Sequence, residues 1–366
     1  MTRGVVLSFV VLAALHAVAQ VPVPFVSNLD RFLVFARGRF EEVAPRPPRS
    51  VYAMHDQVVF VDHDGFLRMY RPEEGRQHLL ERGVVSDIRA TRNRIAWRLG
   101  DTLKTERDGR SVIIMDGVER YQVSDSVIVL VDTISDRLDV VWRGQVVPLA
   151  DVVGGTERPQ WTQGSNTVAF FNKQARKLFA FHRGQVRVLC DSTDVGIVAT
   201  GGDVIAYWDG NERRFMVHVP SGERVLSEIR PASVQAGEGM VAFVDGNGRL
   251  KCYVDGKVHT VLDAVPSGYW LKDRVLIYLD EGRFKLFRPE GSVLVENYVP
   301  ERWVVEGDML VYLDINRELR AFRAGERAKV GSEPGVPNFD LFGDRIVHRN
   351  SVGATVVVTA KRNYTF

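Results

Sequence analysis

The sequence predicts an all-β fold built from one repeated four-stranded unit, and three observations carry that prediction. A short apolar phrase of the form V-x-Y-x-D recurs along the chain. Glycine and aspartate turns punctuate it at hairpin spacing. Beyond residue 19, no long stretch places apolar residues at the spacing of a helix face.

The repeat is regular enough to align with itself. Marking the bulky residue of each phrase gives Phe60, Trp97, Leu130, Phe170, Tyr207, Phe243, Tyr278, Tyr312 and His348, which cover 288 residues in eight steps, a mean period of 36. Nine residues earlier runs a second apolar column: Val51, Ile88, Tyr121, Trp161, Val198, Val234, Tyr269, Trp303 and Phe339. Six to eight residues later runs a third, from Leu67 and Leu103 to Phe284 and Leu319, followed by a glycine turn and a fourth apolar segment marked by Leu79, Leu149, Leu189, Leu226 and Leu262. Asp245-Gly246-Asn247-Gly248 and Asp255-Gly256 illustrate the turns. Asp-Gly and Asn-Gly tolerate the positive backbone angles of tight hairpins. Four strands of about five residues and four turns of about four fill such a period.

A four-stranded antiparallel unit repeating every few tens of residues is the pattern of a β-propeller blade. The copies resemble secreted bacterial β-propellers in outline over essentially the whole chain after residue 19. They carry no Gly-His and Trp-Asp blade signature, no S-x-D-x-G-x-x-W box and no tryptophan-docking repeat, so the resemblance implies a fold and not an activity. Residues 25–43 align with 312–330, placing Phe25 over Tyr312 and Phe32 over Leu319, while residues 345–361 read as the first two strands of a further copy. The expectation is a single propeller over residues 20–366 whose two ends share a blade, giving eight or nine blades. The rival closure is an outer-membrane β-barrel, whose strands need 9 to 11 residues to cross a bilayer, about twice what the turn spacing allows.

Residues 1–19, MTRGVVLSFVVLAALHAVA, place one cation, Arg3, before an apolar run that ends in small residues. That reads as a cleavable signal peptide, too short to span a bilayer, and predicts a secreted or periplasmic protein beginning at Gln20. The formal net charge is +2. A near-neutral chain gives no electrostatic reason to expect a nucleic-acid partner. Cys190 and Cys252 are the only cysteines. They lie two repeats apart in different strands, so both are expected as free thiols.

The most regular polar feature stands two positions after each marked residue: Asp62, Asp132, Asn172, Asp209, Asp245, Asp280, Asp314 and Asn350. If the V-x-Y-x-D segment is the innermost strand, these side chains ring one mouth of the central channel. Such a ring could hold Ca²⁺, which takes six to eight oxygen ligands, but a turn-closing role explains why nearly every blade has one. No metal site or cofactor is assigned on this basis. Residues 89–110 hold seven cations (Arg89, Arg92, Arg94, Arg98, Lys104, Arg107 and Arg110) against Asp101, Glu106 and Asp108. They read either as a solvated face or as a blade turned toward a polyanion. The histidines show no metal-ligand spacing, no nucleophile elbow or phosphate loop appears, and His348 stands in the buried column. No catalytic residue is assigned. The functional expectation is a non-enzymatic scaffold that binds a protein, peptide or glycan; the alternative is a polymer-acting hydrolase or lyase with its site at the channel mouth.

Overall fold

In the computed structural model, which describes residues 21–151, 160–328, 330, 334–360 and 362–366, each V-x-Y-x-D phrase forms the second strand of an antiparallel sheet. Ten sheets follow one another along the chain, the first three-stranded and the other nine four-stranded. They occupy residues 23–44, 50–81, 86–116, 118–151, 160–190, 199–227, 233–262, 268–296, 303–328 and 339–365, and are numbered here as blades 1 to 10. The expected signal peptide lies outside the described residues. Among the described residues, no helix is long and apolar enough to cross a membrane.

Blade 2 shows the pattern. Ser50–Ala53 pairs with Val58–Val61, then Leu67–Arg71, then Arg76–Glu81, with Val51 opposite Phe60. The marked residues are buried, from Phe60 at 0% exposed to His348 at 4%. So is the column that opens the third strand, Leu67, Leu103, Leu138, Leu178, Phe215, Leu250, Phe284 and Leu319. Burying one such side chain contributes roughly 1.5–3 kcal/mol. Immediately after this column the third-to-fourth pairing slips by one residue, at Leu67/Arg68, Leu103/Lys104, Leu138/Asp139, Leu178/Phe179, Phe215/Met216, Leu250/Lys251 and Phe284/Lys285. A bulge sharpens local twist and re-aims the side chains beyond it. In blade 2 it leaves Leu79 exposed and buries Leu80 instead.

The ring has ten blades, not eight or nine, because neither end is shared. Residues 339–365 supply four strands, the last of them Asn363–Thr365, which is too short to read as a strand in sequence. Residues 23–44 form a separate sheet. Its register places Val26 opposite Phe32 and repeats the bulge at Phe32/Leu33, as Val61 opposite Leu67 does in blade 2. Its three strands therefore match the second, third and fourth of the other blades, with no counterpart of the first among the described residues.

Closure follows from apolar packing at each junction. Ten buried clusters straddle the ten neighbouring pairs, including Val23 and Phe35 of blade 1 against Val347 and Val357 of blade 10. The separate short sheets exclude the barrel closure. The uncovered edge of blade 1 is blunted by Pro24, which has no N–H to offer. It is also capped by blade 10: Arg345 Nη1 donates to Val21 O at 2.9 Å and Arg349 Nη2 to Val26 O at 2.8 Å. Trp161, Tyr269 and Trp303 pack between blades, as expected of their column. Cys190 and Cys252 are buried free thiols, and burial pushes each up to about 12.

Candidate functional site

The first strands of successive blades touch one another around the axis, so they, rather than the V-x-Y-x-D strands, are innermost. This moves the expected acidic ring away from the channel. Asp62, Asp132, Asp209, Asp245, Asp280 and Asp314 leave the second strand in its turn to the third, and none of them lines the central cavity.

Each of these side chains is engaged within its own blade. Asp62 Oδ1 accepts from Phe66 N at 2.9 Å and its Oδ2 from Arg68 Nε at 2.5 Å. Asp132 accepts from Ile134 N at 2.8 Å and from the Ser135 hydroxyl. Asp209 accepts from Asn211 N and Glu212 N at 2.9 and 3.0 Å. Asp245 accepts from Asn247 N and Arg249 N at 2.9 and 3.0 Å and pairs with Lys251 at 2.9 Å. Asp280 pairs with Lys285 at 2.6 Å. Asp314 accepts from Asn316 N and Glu318 N at 2.9 Å each and pairs with Arg320 at 2.9 Å. Burial alone would raise the carboxyls of Asp62, Asp132, Asp245 and Asp314, but these hydrogen bonds and neighbouring cations outweigh it and hold them below the usual range.

The cavity on the axis opens at the other end, where the first strand of each blade turns into the second. It has a volume of about 680 Å³, and residues of every blade or of the approach to it form its wall, from Val21 through Met54, Arg92, Asp125, Ser165, Gly202, Glu238, Asp273 and Glu306 to Phe342. Backbone hydrogen bonds stitch the wall from blade to blade: His55 N to Arg92 O at 2.7 Å, Ser126 N to Ser165 O at 2.9 Å, Gly202 N to Gly237 O at 3.0 Å and Glu238 N to Asp273 O at 2.6 Å. Glycine permits this approach. A Cβ on Gly164 would stand 1.7 Å from Gly201 O, and one on Gly201 would stand 1.9 Å from Gly237 O.

Arg92 carries two ion pairs across the mouth. Arg92 of blade 3 places Nη2 3.4 Å from Asp273 Oδ2 of blade 8 and Nε 3.7 Å from Glu306 Oε1 of blade 9. In a ring of ten, blades 3 and 8 face each other across the axis. Asp273 Oδ2 also accepts from Gly307 N at 2.6 Å, which fixes its carboxylate. Burial raises the Glu238 carboxyl, and the negative charge of Asp273 adds to the effect against the opposing Arg92. Burial likewise raises Glu306, opposed by the Gly343 backbone and Arg92. Asp125 and Glu238 form no ion pair among the described residues. Sequence reasoning passed over Asp125, Glu238, Asp273 and Glu306 and placed Arg92 only in a cationic stretch. The signal was a polar column five residues before the marked position: His55, Arg92, Asp125, Ser165, Gly202, Glu238 and Asp273.

Ten consecutive sheets closed by ten apolar junctions agree with the comparison that decides the family, a match of residues 16–364 to the 10-bladed beta propeller domain. The chain belongs to that family. No curated protein matches this ten-bladed propeller. Among solved structures it is similar to the computationally designed Ika8 protein, with 13% identity over 75% of this chain and 95% of that one at a TM-score of 0.36. It is also similar to apo AztD from Citrobacter koseri, with 12% identity over 83% and 98% at 0.36, and to Hsv2p from Kluyveromyces lactis, with 10% identity over 74% and 93% at 0.33. Identities this low leave the ligand and activity of the ten-bladed propeller unconstrained.

Proposed function

We propose that this ten-bladed propeller is an exported, non-enzymatic binding scaffold that engages a protein or peptide partner at the axial mouth, through a basic group of that partner. The observation that supports this reading is the division of labour among the mouth carboxylates. Asp273 and Glu306 are held by Arg92 as a strut across the ring, whereas Asp125 and Glu238 line the same cavity without an ion pair among the described residues. Glu238, whose ionisation burial disfavours, gains most from an arriving cation.

The test is a peptide-display selection against the protein lacking residues 1–19, followed by binding of the selected peptides to Glu238→Gln. Lys- or Arg-bearing peptides that lose affinity in Glu238→Gln are expected; peptides that bind this variant as well as the parent would sink the reading. The same substitution has a stability signature. A Glu whose folded pKa is raised costs stability above the unfolded value near 4.5, so Glu238→Gln should melt higher than the parent at pH 7, and the gain should shrink as pH falls through the raised folded pKa and be gone below the unfolded value. Export itself is checked by N-terminal sequencing of the protein recovered outside the cytoplasm, expected to begin at Gln20.

One observation favours a second reading, a polymer-acting hydrolase or lyase. Glu238 and Glu306, both raised, line one cavity, and a protonated carboxyl beside an ionised one can divide acid and base roles. Release of oligosaccharide from a polysaccharide panel, lost in both Glu238→Gln and Glu306→Gln, would favour it over the scaffold.

A further inference from the structure

We propose that the cleft between blades 3 and 4 is a binding site for a phosphate or sulfate group, held by Arg94, Arg107 and Arg143. This site lies apart from the axial mouth and does not depend on the reading given to it. The three guanidinium groups belong to three turns that line one cavity of about 580 Å³. Arg94 stands in the first-to-second-strand turn of blade 3, which is closed by Thr91 N donating to Arg94 O at 2.8 Å. Arg107 ends the third strand of the same blade, Thr102–Arg107. Arg143 leads the third-to-fourth-strand turn of blade 4, at φ 49° before Gly144 at 81°.

That turn also carries the contact between the two blades. A Cβ on Gly144 would lie 1.7 Å from Arg107 Nη2, so the guanidinium of blade 3 rests directly on the Arg143-Gly144 backbone of blade 4. No side chain could replace the glycine without expelling it.

Carboxylates are near, yet none neutralises this trio. Glu106 is the obvious candidate, but its oxygens are taken: Oε1 accepts from Arg71 Nη2 at 3.1 Å and Gly109 N at 2.7 Å, and Oε2 from Gln57 Nε2 at 3.2 Å. Asp56 and Asp108 also border the cavity and are exposed. Among the described residues, neither forms an ion pair with any of the three arginines. Burial lowers the Arg94 pKa, and the neighbouring charge of Arg107 lowers it further. A bound anion would offset both effects.

The geometry selects the ligand. Guanidinium groups present fixed forks of N–H donors that match the oxygens of phosphate and sulfate, and three of them on the walls of one cavity, Arg143 lying over the Trp142 ring at 5.2 Å, suit a compact, multiply charged group. A formal net charge of only +2 gives the chain little overall attraction for a long polyanion. This assigns a concrete role to part of the cationic stretch at residues 89–110.

The experiment measures binding of the full chain in low-salt buffer to two probes, inorganic pyrophosphate by calorimetry and phosphatidylcholine vesicles containing phosphatidic acid by sedimentation. Binding to at least one probe is expected, falling about tenfold or more in the Arg94→Gln, Arg107→Gln double variant, as loss of charge-assisted hydrogen bonds requires. Arg143→Gln, on an exposed turn, tests the same site should the double variant fold poorly. Arg110→Gln removes an exposed cation of the same blade outside the cavity and should leave affinity unchanged. Binding to pyrophosphate alone identifies a soluble ligand, and binding to vesicles alone a lipid headgroup. Failure to bind either probe, undiminished binding in Arg143→Gln and the double variant, or an equal loss in Arg110→Gln would overturn the proposal.

Discussion

Asp245 shows how one residue type serves the same purpose around the ring. Its Oδ1 accepts two backbone N–H groups of its own turn while its Oδ2 meets Lys251 at 2.9 Å, so the carboxylate is spent on closing a hairpin. Asn172 and Asn350 accept comparable turn bonds, from Ala175 N at 2.9 Å and Ala354 N at 2.8 Å. A neutral amide does this as well as a carboxylate, which is what a turn device predicts and a cation site does not. Asp245→Ala should therefore lower stability by about 1 kcal/mol, as lost side-chain hydrogen bonds do, and chelator should leave the melting temperature of the parent unchanged. Melts in EDTA and in excess calcium decide the matter. A calcium-dependent rise that disappears in an Asp245→Ala, Asp280→Ala double variant would restore the ring as a Ca²⁺ site, because linkage stabilises a metal-binding fold by about 2.7 kcal/mol at a hundredfold excess of free ion.

At the scale of the blade, two uses of glycine separate. In hairpins such as Asp108-Gly109, Arg183-Gly184 and Asp255-Gly256, both central residues have positive φ, near 50° and 80° respectively, the geometry of a type I′ turn, whose twist suits the flanking strands. Immediately after the inner strands, Gly164, Gly201 and Gly237 have ordinary backbone angles, and what they supply is room. A Cβ on Gly237 would stand 2.2 Å from Asp273 O of the next blade. Gly201→Ala should accordingly cost about 1–3 kcal/mol, the range for overpacking a tight contact. Gly222→Ala, whose Cβ would meet nothing within 4 Å, should show only the strain of its positive φ. Chemical denaturation of Gly201→Ala against the parent checks this; an unchanged midpoint would mean that the inner strands separate at little cost and that the axial wall is soft.

For the whole molecule, stability depends on joining blade 10 to the three-stranded blade 1. The junction combines an aromatic cluster, with Phe35 and Tyr364 centroids 4.7 Å apart, and the arginine bonds to Val21 and Val26. Ending the chain after Phe342 removes Arg345, Arg349 and Tyr364 together and uncovers two sheet edges. The shortened protein should melt well below the parent and tend to self-associate. If it melts like the parent, the ends do not stabilise each other and the ring is held by the eight junctions that blade 10 does not share.

Strand identity, hairpin positions, the buried columns and the free thiols were legible in the sequence, since each is a local property. An alternating apolar phrase, an Asp-Gly pair or two cysteines two repeats apart carries its meaning within one or two blades. Ring size was misread because Asn363–Thr365 and Val23–Val26 become strands by pairing with neighbours already in place, not through strong patterns of their own. The order of strands from the axis was hidden for a related reason. Columns nine residues apart are both apolar, and only packing against the next blade decides which faces the channel. Arg92 meets Asp273 across 181 residues because ten blades close a circle that brings the third opposite the eighth. A repeat repeats its local instructions; which side chains meet across the axis is set by the number of copies and by closure, and only the tertiary structure supplied those.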